Sequence, residues 1–361
     1  MSQLPIVIVG AGVSGLYAAS LLHARGEQCV ILESRERLGG RALSTFRGAH
    51  FELPAAHFDL GPAWYWPDAQ PNIARLVREL GLDVFPQYAA GAMRVEPFRL
   101  EAPQSFLPDD GMVPDAMRFR DGVQALVAAL AARVPADAIQ LSSRVVKVSR
   151  RGDGNVMLTL ADGRTEPARA VMLALPPRLI ANGMAFDPPL SATLLQLLRA
   201  TPTWMASHAK MLVVYPTPFW RKDGYSGMAS SFVGPLGEIH DASPETGLGA
   251  LFGFFGIGAG ARAAIGDAAL RERVIAQLVR LFGARAASPL DVHFKDWATD
   301  ADTTTESDLE PATLPHGPGG APLSATQWEG RLVFAGAESS REHPGYLEGA
   351  VRAADRAVGQ L

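Results

Sequence analysis

Two kinds of apolar pattern divide the chain. The first is the short unbroken run. Ile6 to Val9 and Cys29 to Leu32 have the length and β-branching of parallel strands buried on both faces. The second is the helical stripe. Between those runs an Ala/Leu-rich stretch reaches about Ala24 and stops at Gly26. Asn72 to Leu80 places Ile73, Leu76, Val77 and Leu80 on one face and ends at Gly81. Asp121-Gly122 opens another helix, Val123 to Arg133. Ala268 to Phe282 turns Leu270, Val274, Ile275, Leu278, Val279 and Phe282 inward, and Arg271, Glu272, Arg273, Gln277 and Arg280 toward water.

Strands and loops fill the rest. Gln140 to Arg150 predicts one strand. Asn155 to Leu160 and Ala168 to Ala174 add two more around the Asp162-Gly163 turn. Residues 82–118 are broken by Pro86, Pro97, Pro103, Pro108 and Pro114 and read as strands and loops of a second domain. Ser207 to Tyr215 alternates into a strand, Gly247 to Ile265 reads as strand and loop, and Val292 to Trp297 is a further strand. A last apolar run, Gly330 to Phe334, leads through Gly336 and Gly345 into a helix that reaches Val358.

The first strand, helix and second strand form a βαβ unit with Gly10-Ala-Gly12-Val-Ser14-Gly15 at its turn and Glu33 at its end. Each part has a job toward a dinucleotide. Gly12 lets backbone approach a pyrophosphate, and Gly15 lets helix and strand pack closely. The helix N-terminus offers free N–H groups to phosphate. Glu33 can accept from a ribose diol and repels a 2′-phosphate, so NAD or FAD fits better than NADP. The fold class is therefore α/β.

Composition removes other classes. A chain of 361 residues has room for roughly two domains. With 48% hydrophobic and 19% charged residues it can bury a large core and is not globally disordered. A net charge of −4 without a basic stripe argues against nucleic acid. Cys29 is the sole cysteine, so no internal disulfide forms. It reads as small filler in a buried strand of a cytoplasmic protein. No signal-peptide pattern is visible before Ile6 and no apolar run reaches the ~18 residues of a membrane span, so a soluble protein without a membrane anchor is expected. His57, His208, His240, His293, His316 and His343 are scattered, and no catalytic triad, metal cluster or P-loop stands out.

Directly after the acid, Arg37-Leu-Gly39-Gly40-Arg41 gives a second close backbone approach beside guanidinium charge. This Arg-x-Gly-Gly-Arg run resembles the flavin amine oxidase family, which includes monoamine oxidases, polyamine oxidases and L-amino-acid oxidases. Other stretches are similar to that family: Asp59-Leu-Gly61-Pro62-Ala63, Ala174-Leu-Pro176-Pro177, Lys210 before Pro218-Phe219-Trp220, Trp297 at a strand end, Ala335-Gly336-Ala-Glu338, and Tyr346-Leu347-Glu348-Gly349-Ala350.

The resemblance implies a Rossmann-like FAD-binding domain of three segments, residues 1–80, 121–198 and 296–361. A substrate domain with a mixed sheet would take 81–120 and 199–295, as in p-hydroxybenzoate hydroxylase and monoamine oxidase. It implies FAD contacts from Gly10, Gly12, Ser14, Gly15, Glu33, Ser34, Arg35, Gly39, Gly40, Arg41, Gly61, Pro62, Ala63, Val145, Trp297, Gly336, Glu338, Gly345, Tyr346 and Leu347. Two residues would be catalytic: Lys210, beside the flavin's reactive edge, and Tyr346, one ring of an aromatic pair that sandwiches the amine. The implied reaction takes a hydride from the α-carbon of an amine or amino acid to flavin N5. The imine hydrolyses, and O2 is reduced to hydrogen peroxide.

Three departures shape the expectation. The stretch Ala298 to Asp308 lacks the cysteine that tethers FAD in monoamine oxidases, so FAD should be non-covalent. The same stretch lacks the second cage aromatic. Residues 81–120 are shorter than in monoamine oxidases, which leaves the pocket open or covered by a second copy in a homodimer. Two alternatives share the cofactor motifs: a flavin dehydrogenase or desaturase acting on a carbon–carbon bond, and a protein that binds FAD without turnover.

Overall fold

The two opening apolar runs become parallel neighbours. β1 (Ile6–Val9) pairs with β2 (Cys29–Leu32), and α1 (Val13–Ala24) crosses between them. The computed structural model describes residues 3–48, 55–98, 101–108, 115–245, 247–309 and 322–361. Pro114 and His316 lie outside the described residues.

Around β1 and β2 a five-stranded parallel sheet forms in the order Leu332–Phe334, Ala170–Leu173, β1, β2, Ile139–Gln140. Three distant pieces of chain thus share one sheet, and the C-terminal ends of its strands face one crevice, where open α/β sheets take their ligands. α1 packs on the final helix through Leu16 and Tyr17 against Val351 and Ala354.

The second large sheet has seven strands. β3 (Ala209–Tyr215), β4 (Leu236–Asp241), β5 (Gly249–Phe255) and β6 (Asp291–Asp296) stand in the order β6, β3, β5, β4, followed by Tyr225–Ser231, Ala92–Glu96 and Gln104–Phe106. One pairing, Tyr225–Ser231 with Ala92–Glu96, is parallel, so the sheet is mixed. α2 (Asp267–Phe282) covers one face, burying Leu270, Val274, Leu278 and Phe282 against Met211, Val213, Ile239 and Leu251. The alternation of β3 sends Lys210, Leu212 and Val214 to the other face. α3 (Leu347–Val358) closes the chain.

Several expectations need correction. Gln277 does not face water. It is fully buried, and its amide accepts from Leu236 N at 2.9 Å and donates to Leu236 O at 2.8 Å. It substitutes for a strand partner at the start of β4. Gln277→Leu is expected to lower stability by about 1–3 kcal/mol, because two buried backbone groups lose their partner. A urea midpoint unchanged from the parent protein would contradict that.

The strand expected from Gln140 to Arg150 is two strands in different sheets, Ile139–Gln140 and Val145–Arg150. Ser142 between them sits at φ +50° and turns the chain. Ala168 to Ala174 divides likewise, at Arg169. After β5 the Gly/Ala-rich stretch forms a helix, Ala259–Ile265. It is anchored by Arg262, which donates to both carboxylate oxygens of Asp296 at 2.7 and 2.8 Å. Cys29 is only partly buried, with burial still pushing its thiol pKa up.

Candidate active site

The site begins where β1 becomes α1. At Gly15 an added Cβ would lie 1.9 Å from Gly10 O, so this glycine is needed for helix and strand to touch. Gly12 differs. A Cβ there would meet nothing nearer than Gly39 O at 3.9 Å, and its φ of −73° suits any residue. The bare space over Gly12 serves no packing within the chain. Gly39 docks beside it, bridged to Gly12 and donating from its N–H to Ala11 O at 2.9 Å. Glu33 is buried at the end of β2, accepting from Ala11 N at 2.7 Å and from Arg35 N at 2.9 Å.

A cavity of about 1000 Å³ runs from this cradle to the mixed sheet, at the upper end of the roughly 300–1,000 Å³ of ligand pockets. Its walls hold Gly10, Gly12, Ser14, Glu33, Ser34, Arg35, Gly39, Gly40 and Arg41. Gly61, Pro62, Ala63, Lys210, Trp297, Gly336, Gly345, Tyr346 and Leu347 line it too. An open backbone cradle, a ribose-type acid and a long cleft fit a dinucleotide such as FAD.

Three expected contacts are not brought to the cavity wall. Gly15 packs behind it. Val145 is buried with Leu32, Val148 and Leu158 in a separate apolar cluster. Glu338 is also buried, ion-paired with Arg41 at 2.6 Å and accepting from Trp204 N at 3.2 Å. Its carboxylate fixes Arg41 and residue 204 instead of facing the cleft.

Lys210 is 2% exposed. Its Nζ donates to Gly61 O at 3.0 Å and lies 4.0 Å from the centroid of Phe252. Burial lowers its pKa to about 7, against the opposing pull of the Asp59 charge. Trp297 donates from Nε1 to Leu60 O at 3.1 Å. One side chain from the mixed sheet and one from the turn after β6 therefore hold consecutive carbonyls of the segment Leu60-Gly61, which itself lines the cleft.

Tyr346 caps the start of α3. Its ring stacks with Trp204 at 5.5 Å and meets the edge of Trp66 at 6.3 Å. Burial raises its phenol pKa. Trp204 and Trp66 both line the cavity. The aromatic wall is thus built from residues far from the 298–308 stretch. Nothing in the local pattern around Trp204 announces that, because its nearness to Tyr346 arises from tertiary structure.

The far wall carries polar groups in register across the sheet. Lys210 stands opposite Phe254, and Phe254 opposite Glu238. Glu238 bonds His240 at 2.5 Å, and both line the cleft. His208 lines it too, its pKa lowered by burial and then by the Arg262 charge. Among the described residues no cluster of metal-ligating side chains is present, and no helix is long and apolar enough to cross a membrane.

Comparison with known proteins gives the family and the fold. The family model for flavin containing amine oxidoreductases matches residues 85–361, and that for NAD(P)-binding Rossmann-like domains matches residues 8–80. A Mycobacterium tuberculosis protein named a flavin-containing monoamine oxidase, AofH, is 27% identical over an alignment of 462 residues. That alignment covers 99% of this chain and 96% of the relative. Flavin-containing amine oxidase A of Sus scrofa is 25% identical, with 99% and 84% covered. Both relatives are longer than this chain and carry insertions relative to it. A solved putrescine oxidase variant superposes with a TM-score of 0.84 at 21% identity over 99% of this chain and 98% of its own, which speaks to the fold.

Proposed function

This chain belongs to the flavin containing amine oxidoreductase family, and we propose that it is an oxidase that removes a hydride from the carbon next to an amine nitrogen and passes the electrons to O2, giving an imine and hydrogen peroxide. FAD is its cofactor, and when bound it supplies the two-electron chemistry. The single observation that carries the reading is the buried Lys210 ammonium in the same cleft as the dinucleotide cradle.

The chain's own residues divide the work. Gly12 leaves room for the pyrophosphate, with Gly39 and Gly40 docked beside it, and Glu33 takes the ribose hydroxyls. Lys210 and Trp297 set the Leu60-Gly61 carbonyls. With a pKa near neutrality, Lys210 can hold or release a proton next to Gly61 O, and when charged it stabilises negative charge arising in the cleft. Tyr346, backed by Trp204 and Trp66, offers a π-rich wall for the amine end of the substrate. The amine reacts as the free base. The parallel sheet and the mixed sheet support a division into an FAD domain (1–80, 121–198, 296–361) and a substrate domain (81–120, 199–295). The lone cysteine, free of any disulfide, supports a cytoplasmic location.

A panel of primary amines, secondary amines and amino acids, scored for peroxide, tests the reading. At least one amine is expected to release peroxide in step with carbonyl product. A carbon–carbon desaturation with no peroxide from any amine would overturn it.

A further inference from the structure

We infer that residues 300–303 form a gate over the Glu33 end of the cleft, through which the dinucleotide enters and leaves. The segment follows β6, an edge strand of the mixed sheet, and Trp297, and reaches back to the end of β2. Asp300 accepts from Arg35 Nη2 at 2.6 Å and from Lys295 Nζ at 2.9 Å. Thr303 Oγ1 accepts from the same Arg35 nitrogen at 2.9 Å. Asp302 accepts from Ser34 Oγ at 2.8 Å and pairs with Arg144. The Ser34 hydroxyl also lies 3.4 Å from Glu33 Oε1, so two carboxylates flank one hydroxyl. Asp302 and Thr303 line the same cleft as Glu33, Ser34 and Arg35.

Two features make this a gate and not merely a wall. The bonds to the end of β2 run through side chains. The backbone N–H groups of Thr303 and Thr304 instead turn inward to Asp300 O, at 2.9 and 2.8 Å. The segment can therefore lift without breaking a sheet. Its base is fixed, since Thr304 Oγ1 donates to Trp297 O at 2.7 Å and to Ala206 O at 3.1 Å. The closing contacts are charge-assisted, and Arg35 and Asp300 are only 13% and 11% exposed, which keeps salt from screening them fully. Ala298 to Asp308 has no cysteine to tether a flavin, so closure of this segment is what slows the loss of a non-covalent one.

A contact residue and a gate leave different kinetic marks. Weakening a contact speeds release alone. Weakening a gate speeds both release and entry, and changes the equilibrium constant little. Asp300→Asn keeps the size and removes the charge that holds both Arg35 and Lys295. In the holoprotein it is expected to speed FAD release, read as flavin fluorescence on dilution, by about tenfold, a loss of ~1.4 kcal/mol from the closed state. Rebinding of FAD to the stripped protein should speed up by a similar factor. Thr303→Val, which removes one bond, should shift both rates the same way by less, and it carries the test if Asp300→Asn fails to fold. Faster release with unchanged rebinding, or two unchanged rates, would overturn the gate. Neither readout needs amine turnover, so the catalytic proposal stands or falls separately.

Discussion

Gly12→Val yields a folded but colourless protein. The backbone at this position is extended, and a new Cβ meets no atom of the chain nearer than 3.9 Å, so the branch point itself is accommodated. The side chain instead fills the space over which a pyrophosphate must pass. FAD affinity is expected to fall by about 100-fold or more, equivalent to ~2.7 kcal/mol. The check is the flavin-to-protein absorbance ratio after gel filtration, alongside thermal unfolding compared with FAD-stripped parent protein. Gly15→Val supplies the contrast. Its Cβ would sit 1.9 Å from Gly10 O, so that variant loses the fold itself. Yellow Gly12→Val protein with full flavin content would refute the cradle.

Lys210→Met leaves flavin content unchanged and slows reoxidation by O2 by about 100-fold, the scale seen when one preorganised charge-stabilising group is removed. Stopped-flow mixing of reduced protein with oxygenated buffer reads it. Equal reoxidation rates in the two proteins would remove the lysine from the mechanism. The same pair has a stability signature. Burial lowers the Lys210 pKa from 10.5 to about 7 in the folded chain. Between those values the unfolded chain binds a proton that the folded chain lacks, so this group's contribution rises with pH across that window. Below about pH 7 the burial cost of the charged lysine is fully present, and FAD-stripped Lys210→Met should be the more stable protein there. Its advantage should shrink as pH climbs toward 10.5.

How much of this was legible beforehand follows from the range of the interactions. The βαβ unit, its glycines and Glu33 are local, lying within one strand-helix-strand unit, and of these Gly10, Gly12 and Glu33 line the cleft while Gly15 packs behind it. The apolar run that ends at Phe334 is also local, and it forms the strand Leu332–Phe334 of the parallel sheet. What failed was long-range or conformational. Gln277 looks like a solvent-face residue on a helical wheel. Only the start of β4, some forty positions away, gives it a buried job. Ser142 carries no glycine-type signal for its positive φ, so one strand was read where there are two. The 298–308 stretch holds no second aromatic to face Tyr346, and Trp204 reaches it from a segment whose local pattern gives no sign of that contact.

The most direct measurement is anaerobic. The purified yellow protein is mixed with each amine of the panel in the absence of oxygen, and its visible flavin absorbance is followed. At least one amine should bleach it, and admitting air should restore the colour with one peroxide formed per amine consumed. Flavin that stays oxidised with every amine and amino acid tried would show that the cleft around Lys210 binds its cofactor but does not oxidise amines.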